Sequence, residues 1–505
     1  MTWAHTFCCY PERYLQPRSD GELARLVRLA HRCGKKLMTV GSGHSPSDIT
    51  MTNDWIVNLD RYADVLNIDQ HAKYADVRVQ AGIRIYQLTA ELKKHGLMIQ
   101  SLGSIADQSI AGAISTGTHG SSAFHGLISQ QIVDLTVLLA NGEYVTCSQT
   151  DRPDLFAAAL LSLGKIGIIS HVTIRVVPEF KLESIQEVIS FDTLLLIWPT
   201  IWTEHEFVRI WWFPYSRKCV IWRADKTDKQ ITPSRYSWYG SYFGRLFYEC
   251  LLWLCVKVRG SWTPGVERFV FSRQYGVHET FGRSKERVTE YGTDAFRLDC
   301  LFKQVVNEWA LPMENGTEAL LALDAAIDEA SSRGQYYVHA PIEVRVGNTT
   351  VPSPEQYTEM GTPLYPSFVH PHRGVIPGNT IRPLLDLTPE LEFSPSPINR
   401  NLCLYLNATM YRPFGNACTF GAWFREFEAI TGKLGGRPHW AKNFIGEFDE
   451  TVRSKEDGHM YGFSSTISRW LGSNLTKWKQ IRREVDPDNL FLSGEQWADR
   501  NGLVD

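Results

Sequence analysis

Four short stretches of the chain carry residue types that can do chemistry. VGSGHSPSD (40–48) places His44 at the end of a polar turn, with Gly41, Ser42, Gly43 and Ser45 around it. SLGSIADQSIAGAISTGTHGSS (101–122) combines Gly103, Gly112, Gly117 and Gly120 with Ser104, Thr116, Thr118 and His119. PIEVRV (341–346) sets Glu343 and Arg345 two residues apart in a strand pattern, so both side chains face one side. RPHWAKNF (437–444) holds His439, Trp440 and Lys442. Backbone N–H groups next to Ser and Thr hydroxyls form a nest for an anion, and glycine allows close backbone approach. A diphosphate suits such a nest. Neither turn fits GxGxxG or GxxxxGK[ST], so the dinucleotide fingerprint and the P-loop fail on residues. Taken singly, each feature has a plain reading. A glycine cluster is often a structural loop, a turn histidine often bonds only the backbone, and E-x-R is usually a solvated pair.

The elements that must position these residues fall into two groups. Residues 19–33 form an amphipathic helix capped by Ser19 or Asp20 and ended by Gly34. KLMTVGSG (36–43) is a short strand entering the first turn, and DWIVNLDRY, DVLNID and YADVRVQAG read as further strands. A helix covers 83–96. Asn141-Gly142 marks a hairpin between apolar runs. DLFAAALLSLG is a helix, and IGIISHVTIRVVP reads as a strand pair stopped by Pro178. Residues 1–180 are thus one α+β unit. From 181 to 505 the texture changes to Trp- and Arg-rich segments with turn-rich stretches such as VPSPEQYTEMGTPLYPSFVHPHRGVIPGN, and TFGAWFREFEAITGKLGG reads as helical.

Bulk properties exclude several classes. A net charge of -3 over 505 residues gives no basic field for nucleic acid. The ten cysteines show neither CxxC nor zinc spacing, so no metal is expected and the chain reads as reduced and intracellular. The start, MTWAHTFCCYPERYLQP, does not read as a signal peptide. The sequons at Asn315, Asn348, Asn407 and Asn474 therefore read as coincidental. FYECLLWLCVKV (247–258) is too short to span a bilayer and reads as a buried core helix in preference to an interfacial anchor.

The motifs together resemble the vanillyl-alcohol-oxidase superfamily of flavoproteins. Within it the chain is most similar to the aldonolactone oxidases, the fungal D-arabinono-1,4-lactone oxidases in particular. Five motifs stand in the expected order over essentially the whole chain, including the ending DPDNLFLSGEQW. The resemblance implies an FAD-binding domain at 1–180 and a mixed α/β substrate or cap domain at 181–505, whose C-terminal segment returns to the flavin. It implies FAD attached covalently to His44. Gly41, Ser42, Gly43 and Ser45 would wrap the cofactor from one side, and Thr116, Gly117, Thr118, His119 and Gly120 from the other. Gly164 and Ile169 would approach the adenosine half. Gly103 and Ser104 would lie against the flavin ring. Ser104, Glu343, Arg345 and Lys442 would bind substrate, the last three as the catalytic group.

The implied reaction is oxidation of the C2 hydroxyl of a sugar 1,4-lactone (D-arabinono, L-galactono or L-gulono) to an ascorbate-type product, with O2 reduced to H2O2. Which group is the base stays open, although Glu343 is available. Replacing Glu343 or Arg345 is expected to harm activity and leave melting intact. Relatives that are dehydrogenases carry alanine where this chain has Gly103, so that glycine is expected to leave room for dioxygen. The resemblance also implies peripheral association with an intracellular membrane, the mitochondrial outer membrane in particular, the cytoplasm otherwise. It leaves oligomeric state open. Rival readings are a covalent-flavin alditol oxidase, a lactone dehydrogenase with another acceptor, and a silent flavoprotein kept as a scaffold.

Overall fold

The computed structural model describes residues 1–349, 375–389, 402–447 and 460–504. Ser19 caps the helix Asp20–Arg32 through its hydroxyl, and that helix buries Leu23, Ala24 and Val27. A small parallel sheet follows, β1 (Arg13–Leu15) and β2 (Leu37–Val40) flanking β3 (Trp55–Asn58). A second sheet runs β4 (Val65–Gln70), β5 (Ala75–Gln80), β9 (Ile168–Pro178), β7 (Ile132–Leu138) and β8 (Tyr144–Ser148), with β6 (Leu97–Met98) also on β9. Its pairs are antiparallel. The predicted strand pair at 168–178 is one long strand. No turn residue interrupts it, and β5 and β7 pair with it on its two sides.

The chain leaves β9 at Pro178 and enters an eight-stranded sheet. Its order is β13 (Val288–Tyr291), β10 (Lys181–Ser190), β12 (Lys218–Thr227), β11 (Phe207–Phe213), β15 (Ile342–Gly347), β16 (Cys403–Tyr411), β14 (Gln304–Pro312) and β17 (Arg437–Pro438). The helix Gly421–Lys433 lies where an apolar 3.6-residue pattern predicts one and buries Trp423, Phe424 and Phe427. The C-terminal segment returns to the first unit. Leu490 and Phe491 pack into its helix–sheet core, and the buried Lys165 ammonium donates to the Ser493 carbonyl.

The expected core helix at 247–258 is corrected. It belongs to a longer helix, Tyr242–Lys257, that buries Gly244, Tyr248, Leu252 and Cys255. Tyr242, Phe243, Leu246, Phe247 and Trp253 face outward. A helix apolar on every side gives no sequence signal for which side the core takes. Most of the turn-rich stretch 351–379 lies outside the described residues.

Candidate active site

Two adjoining clefts bring the motifs together. One, with an empty volume of about 990 Å³ including its open mouth, is lined by Ser104, Glu308, Glu343, Arg345, Asn407 and Lys442, among others. The other, about 870 Å³ on the same measure, is lined by Gly41, Ser42, Gly43, Thr116, Gly164 and Ile169, among others. His44, Ser45 and Gln108 border both.

The eight-stranded sheet builds the first cleft. Trp211 is level with Glu343, Glu343 with Asn407, and Asn407 with Glu308, so one rung crosses four strands. Two residues along, Arg209, Arg345 and Tyr405 make the next rung. The two-residue pleat puts both rungs on one face. Glu343 and Arg345 therefore share a side, as their spacing predicts, and an ion pair of 3.3 Å joins them.

The hub of this face is Glu308, which the sequence reading passes over. Its side chain is 0% exposed. It receives Arg345 at 3.1 Å, Lys442 at 3.0 Å and His119 at 2.8 Å, and the Asn407 amide at 3.0 Å. Burial works against the charge, yet Lys442 and Arg345, with His119, hold its carboxyl well below the usual range. A charged residue inside the strand run QVVNEWALP was the available signal. Strands rarely bury a carboxylate unless cations wait for it.

His119 is buried, stacked on Tyr405 with ring centroids 3.6 Å apart. Its Nε2 meets Glu308, and its Nδ1 meets the Gly120 carbonyl at 2.9 Å. Both partners only accept, so the ring satisfies both only when each nitrogen carries hydrogen. Burial and the Arg345 charge press the other way, while Glu308 supports the charged form. His439 is a different case. Its Nε2 faces the Gly117 carbonyl at 3.1 Å, and its Nδ1 accepts from the Ala441 N–H at 3.2 Å. One neutral tautomer fits both bonds, and burial pushes this ring down to about 3. It braces the turn and has no nitrogen left for a substrate proton.

Two residues of the second glycine turn, Gly117 and Gly120, do not line the second cleft. Gly117 faces a small apolar pocket beside Leu161 and Tyr405 instead of the 870 Å³ cleft. Gly120 borders neither main cleft. A Cβ on Gly120 would meet Ser101 Oγ at 2.4 Å, so this glycine serves close packing. Thr116 lies in the second cleft, and Thr118 and His119 in the first. A methyl at Gly103 would meet Thr118 Cγ2 at 2.8 Å, so it would not project into open space.

The second cleft suits a flavin dinucleotide. Its lining carries no carboxylate, and hydroxyls and backbone of the two glycine turns dominate it. Gly41 admits no side chain, since a Cβ there would meet Ser109 Oγ at 2.5 Å. At the junction, His44 Nδ1 is buried without a partner, and Nε2 stands 3.8 Å from Asp107. Burial lowers the pKa of this ring. The segment before the first strand folds over it, which the sequence did not signal. Trp3 stacks on His44 at 5.4 Å, and the Trp3 N–H donates to the Gly43 carbonyl at 2.8 Å. Ser104 Oγ and Glu343 Oε1 are likewise buried without partners and border the first cleft. Asn348 and Asn407, two of the sequon asparagines, are engaged in buried hydrogen bonds.

The family model for D-arabinono-1,4-lactone oxidase matches residues 172–501, and that for an FAD binding domain matches 11–148. A D-arabinono-1,4-lactone oxidase of Yarrowia lipolytica is 50% identical, over 100% of this chain and 97% of the relative. Those of Candida albicans and Saccharomyces cerevisiae are each 47% identical, over 100% of this chain and 96% of their own. Among solved structures, a solvent-stable cholesterol oxidase superposes with a TM-score of 0.75 at 18% identity, covering 99% of this chain and 96% of its own. The cholesterol oxidase of B. sterolicum does so with 0.72 at 14%, covering 97% and 94%. At those identities the likeness concerns the fold alone, that of the two-domain vanillyl-alcohol-oxidase flavoproteins.

Proposed function

This chain belongs to the D-arabinono-1,4-lactone oxidase family, and on that premise we propose that Glu343, Arg345 and Lys442 carry C2 oxidation in the larger cleft. The chain is an FAD-dependent aldonolactone oxidase, with a sugar lactone as substrate and O2 as acceptor. The observation that carries the assignment of roles is the buried, unpartnered Oε1 of Glu343 beside Arg345. Glu343 takes the C2 hydroxyl proton there. Glu308 cannot, because every side of its carboxylate is occupied. Arg345 and Lys442 stabilise the negative charge that grows on the C2 oxygen. Ser104 Oγ, also unpartnered, orients a substrate hydroxyl. Bound FAD supplies the hydride acceptor and the centre at which O2 is then reduced. Gly103 and Thr118, which border the cleft, would lie beside the flavin ring.

The reading includes covalent attachment of FAD at His44. A neutral imidazole is the nucleophilic form, and burial favours it here. Its Nδ1 has no competing partner, and Asp107 faces the other nitrogen. The test is a panel of aldonolactones and open-chain alditols. Anaerobic bleaching of the flavin by a 1,4-lactone, with stoichiometric peroxide on admitting air, is expected. Bleaching by alditols alone, or reduction without peroxide, overturns it.

The reading also includes peripheral attachment to an intracellular membrane, the mitochondrial outer membrane by resemblance. Among the described residues no helix is long and apolar enough to cross one. The outward side of Tyr242–Lys257 supports surface attachment: Phe243 is 81% exposed and Tyr242 76%, and Phe247 meets Phe269 at 6.1 Å to form one aromatic patch. Exposed apolar and aromatic side chains on one side of a helix are buried at the membrane–water boundary when it lies on a membrane. Co-flotation with anionic vesicles that is lost in Phe243→Ser/Phe247→Ser supports it, and equal flotation of both proteins removes it.

A further inference from the structure

Glu308 is a buried carboxylate of the site that takes no proton in the oxidation. Glu308 lies in the middle of the sheet face, between two cations that must meet the same substrate oxygen. Lys442 arrives from the segment that runs along β14, whose backbone is clamped there by His439 N–H to Glu308 O at 2.9 Å and Asn443 N–H to Val306 O at 2.7 Å. Arg345 arrives from β15, two strands away from β14. Lysine and arginine side chains have many rotamers and lose considerable entropy when fixed. An ion pair with a buried, charge-assisted acceptor selects one rotamer for each.

The acceptor is itself fixed. The Asn407 amide donates to it, and the Thr409 hydroxyl donates to Asn407 Oδ1 at 3.1 Å, which settles which way that amide points. His119 holds the other oxygen and is held in turn by Tyr405 and the Gly120 carbonyl. The carboxylate is thus tied to four partners on two strands and two loops.

We infer that Glu308 is a positioning residue for the oxidation, aiming Lys442 and Arg345 at the C2 oxygen while Glu343 takes the proton. The inference rests on the roles proposed above for Lys442 and Arg345. A Lys442 ammonium bonded to Glu308 by one hydrogen keeps two for the cleft. Arg345 bonds Glu308 through Nη2, and its Nε lies 3.3 Å from Glu343 Oε2 as an ion pair, so the guanidinium is held between the two carboxylates.

Glu308→Gln, Glu308→Asp and Lys442→Met, with the double variant Glu308→Gln/Lys442→Met, test it. Rapid mixing with lactone without oxygen separates binding from hydride loss. Glu308→Gln should slow flavin reduction about 100-fold, the scale of losing one well-aimed donor, while the lactone dissociation constant rises less than about tenfold. In the Lys442→Met background the same change should cost much less, because part of what Glu308 aims is already gone. A 2-deoxy lactone, which lacks the oxygen being aimed at, should bind wild type and Glu308→Gln alike. Equal penalties in both backgrounds, or lost 2-deoxy binding, would mean that Glu308 only maintains the cleft, and the inference falls. If Glu308→Gln does not fold, Glu308→Asp decides. It keeps the charge but retracts it, and full activity there overturns the inference. If Lys442→Met retains wild-type reduction, the role given to Lys442 has failed, which is distinguishable from failure of Glu308.

Discussion

Arg345→Met should weaken the fold as well as the reaction, against the expectation from sequence that melting stays intact. Arg345 is 6% exposed and lies between two carboxylates, Glu308 and Glu343. In the wild type Arg345 is paired with both carboxylates, Lys442 and His119 also meet Glu308, and the buried Arg209 acts on Glu343. Methionine fills much of the volume but removes the one cation that is paired with both carboxylates. Removing one partner of a buried pair costs about 3–5 kcal/mol. An unfolding entropy of roughly 2.1 cal/mol/K per residue over 505 residues makes this a loss of about 3–5 °C in melting temperature. Arg345→Lys, which keeps the charge and loses the fork, should fall about half as far.

The sign of the pH dependence follows from the surplus charge. The folded variant binds a proton to relieve two buried carboxylates, and the unfolded chain gives it up. The folded form then holds more protons, so stability falls as pH rises. The penalty should be smaller near pH 5 than near pH 8. Differential scanning calorimetry of wild type, Arg345→Met and Arg345→Lys at both pH values measures it. Equal melting of all three at pH 8 would refute the buried balance of charge.

His44→Ala should release its flavin on acid precipitation, whereas wild-type protein should stay yellow and fluoresce on a denaturing gel. Glu343→Gln should retain lactone binding and lose about 10²–10⁴-fold in anaerobic flavin reduction, the range for a general base; unchanged reduction removes it from that role. Gly103→Ala separates an oxygen path from simple packing when combined with Thr118→Ser, which deletes the methyl 2.8 Å from the new Cβ. Slow reoxidation by air in both Gly103→Ala and Gly103→Ala/Thr118→Ser, with normal reduction by lactone, supports the path. Recovery on adding Thr118→Ser assigns the defect to packing.

Much of the first unit was legible because its signals are local. The Ser19 cap, the Asn141-Gly142 turn and the apolar period of 20–32 each need only a few adjacent residues. The two glycine turns were legible as a pair, and they line one cleft from two sides. The hub was not. Glu308 meets Arg345 across 37 positions of sequence and His119 across 189, and no local pattern encodes either meeting. E-x-R announced itself because period two puts both residues on one face, whereas the Glu308 neighbours, Asn307 and Trp309, are buried as well and blur the alternation. The side of Tyr242–Lys257 that meets the core was equally hidden, since both sides are apolar.

The order of strands in the large sheet bears on the timing of synthesis. β16 (Cys403–Tyr411) comes after β14 and β15 in the chain yet lies between them, and its Asn407 is what joins the Glu308 strand to the Glu343 strand. A nascent chain that has emerged only to residue 400 already possesses the glycine turns and His44 but cannot bring the two carboxylates and two cations onto one face. The face is completed only by this late strand, and the core of the first unit only by the C-terminal segment that follows it. Insertion of a late strand into the middle of the sheet acts as a licensing step: an unfinished chain has no assembled face on which lactone can be oxidised.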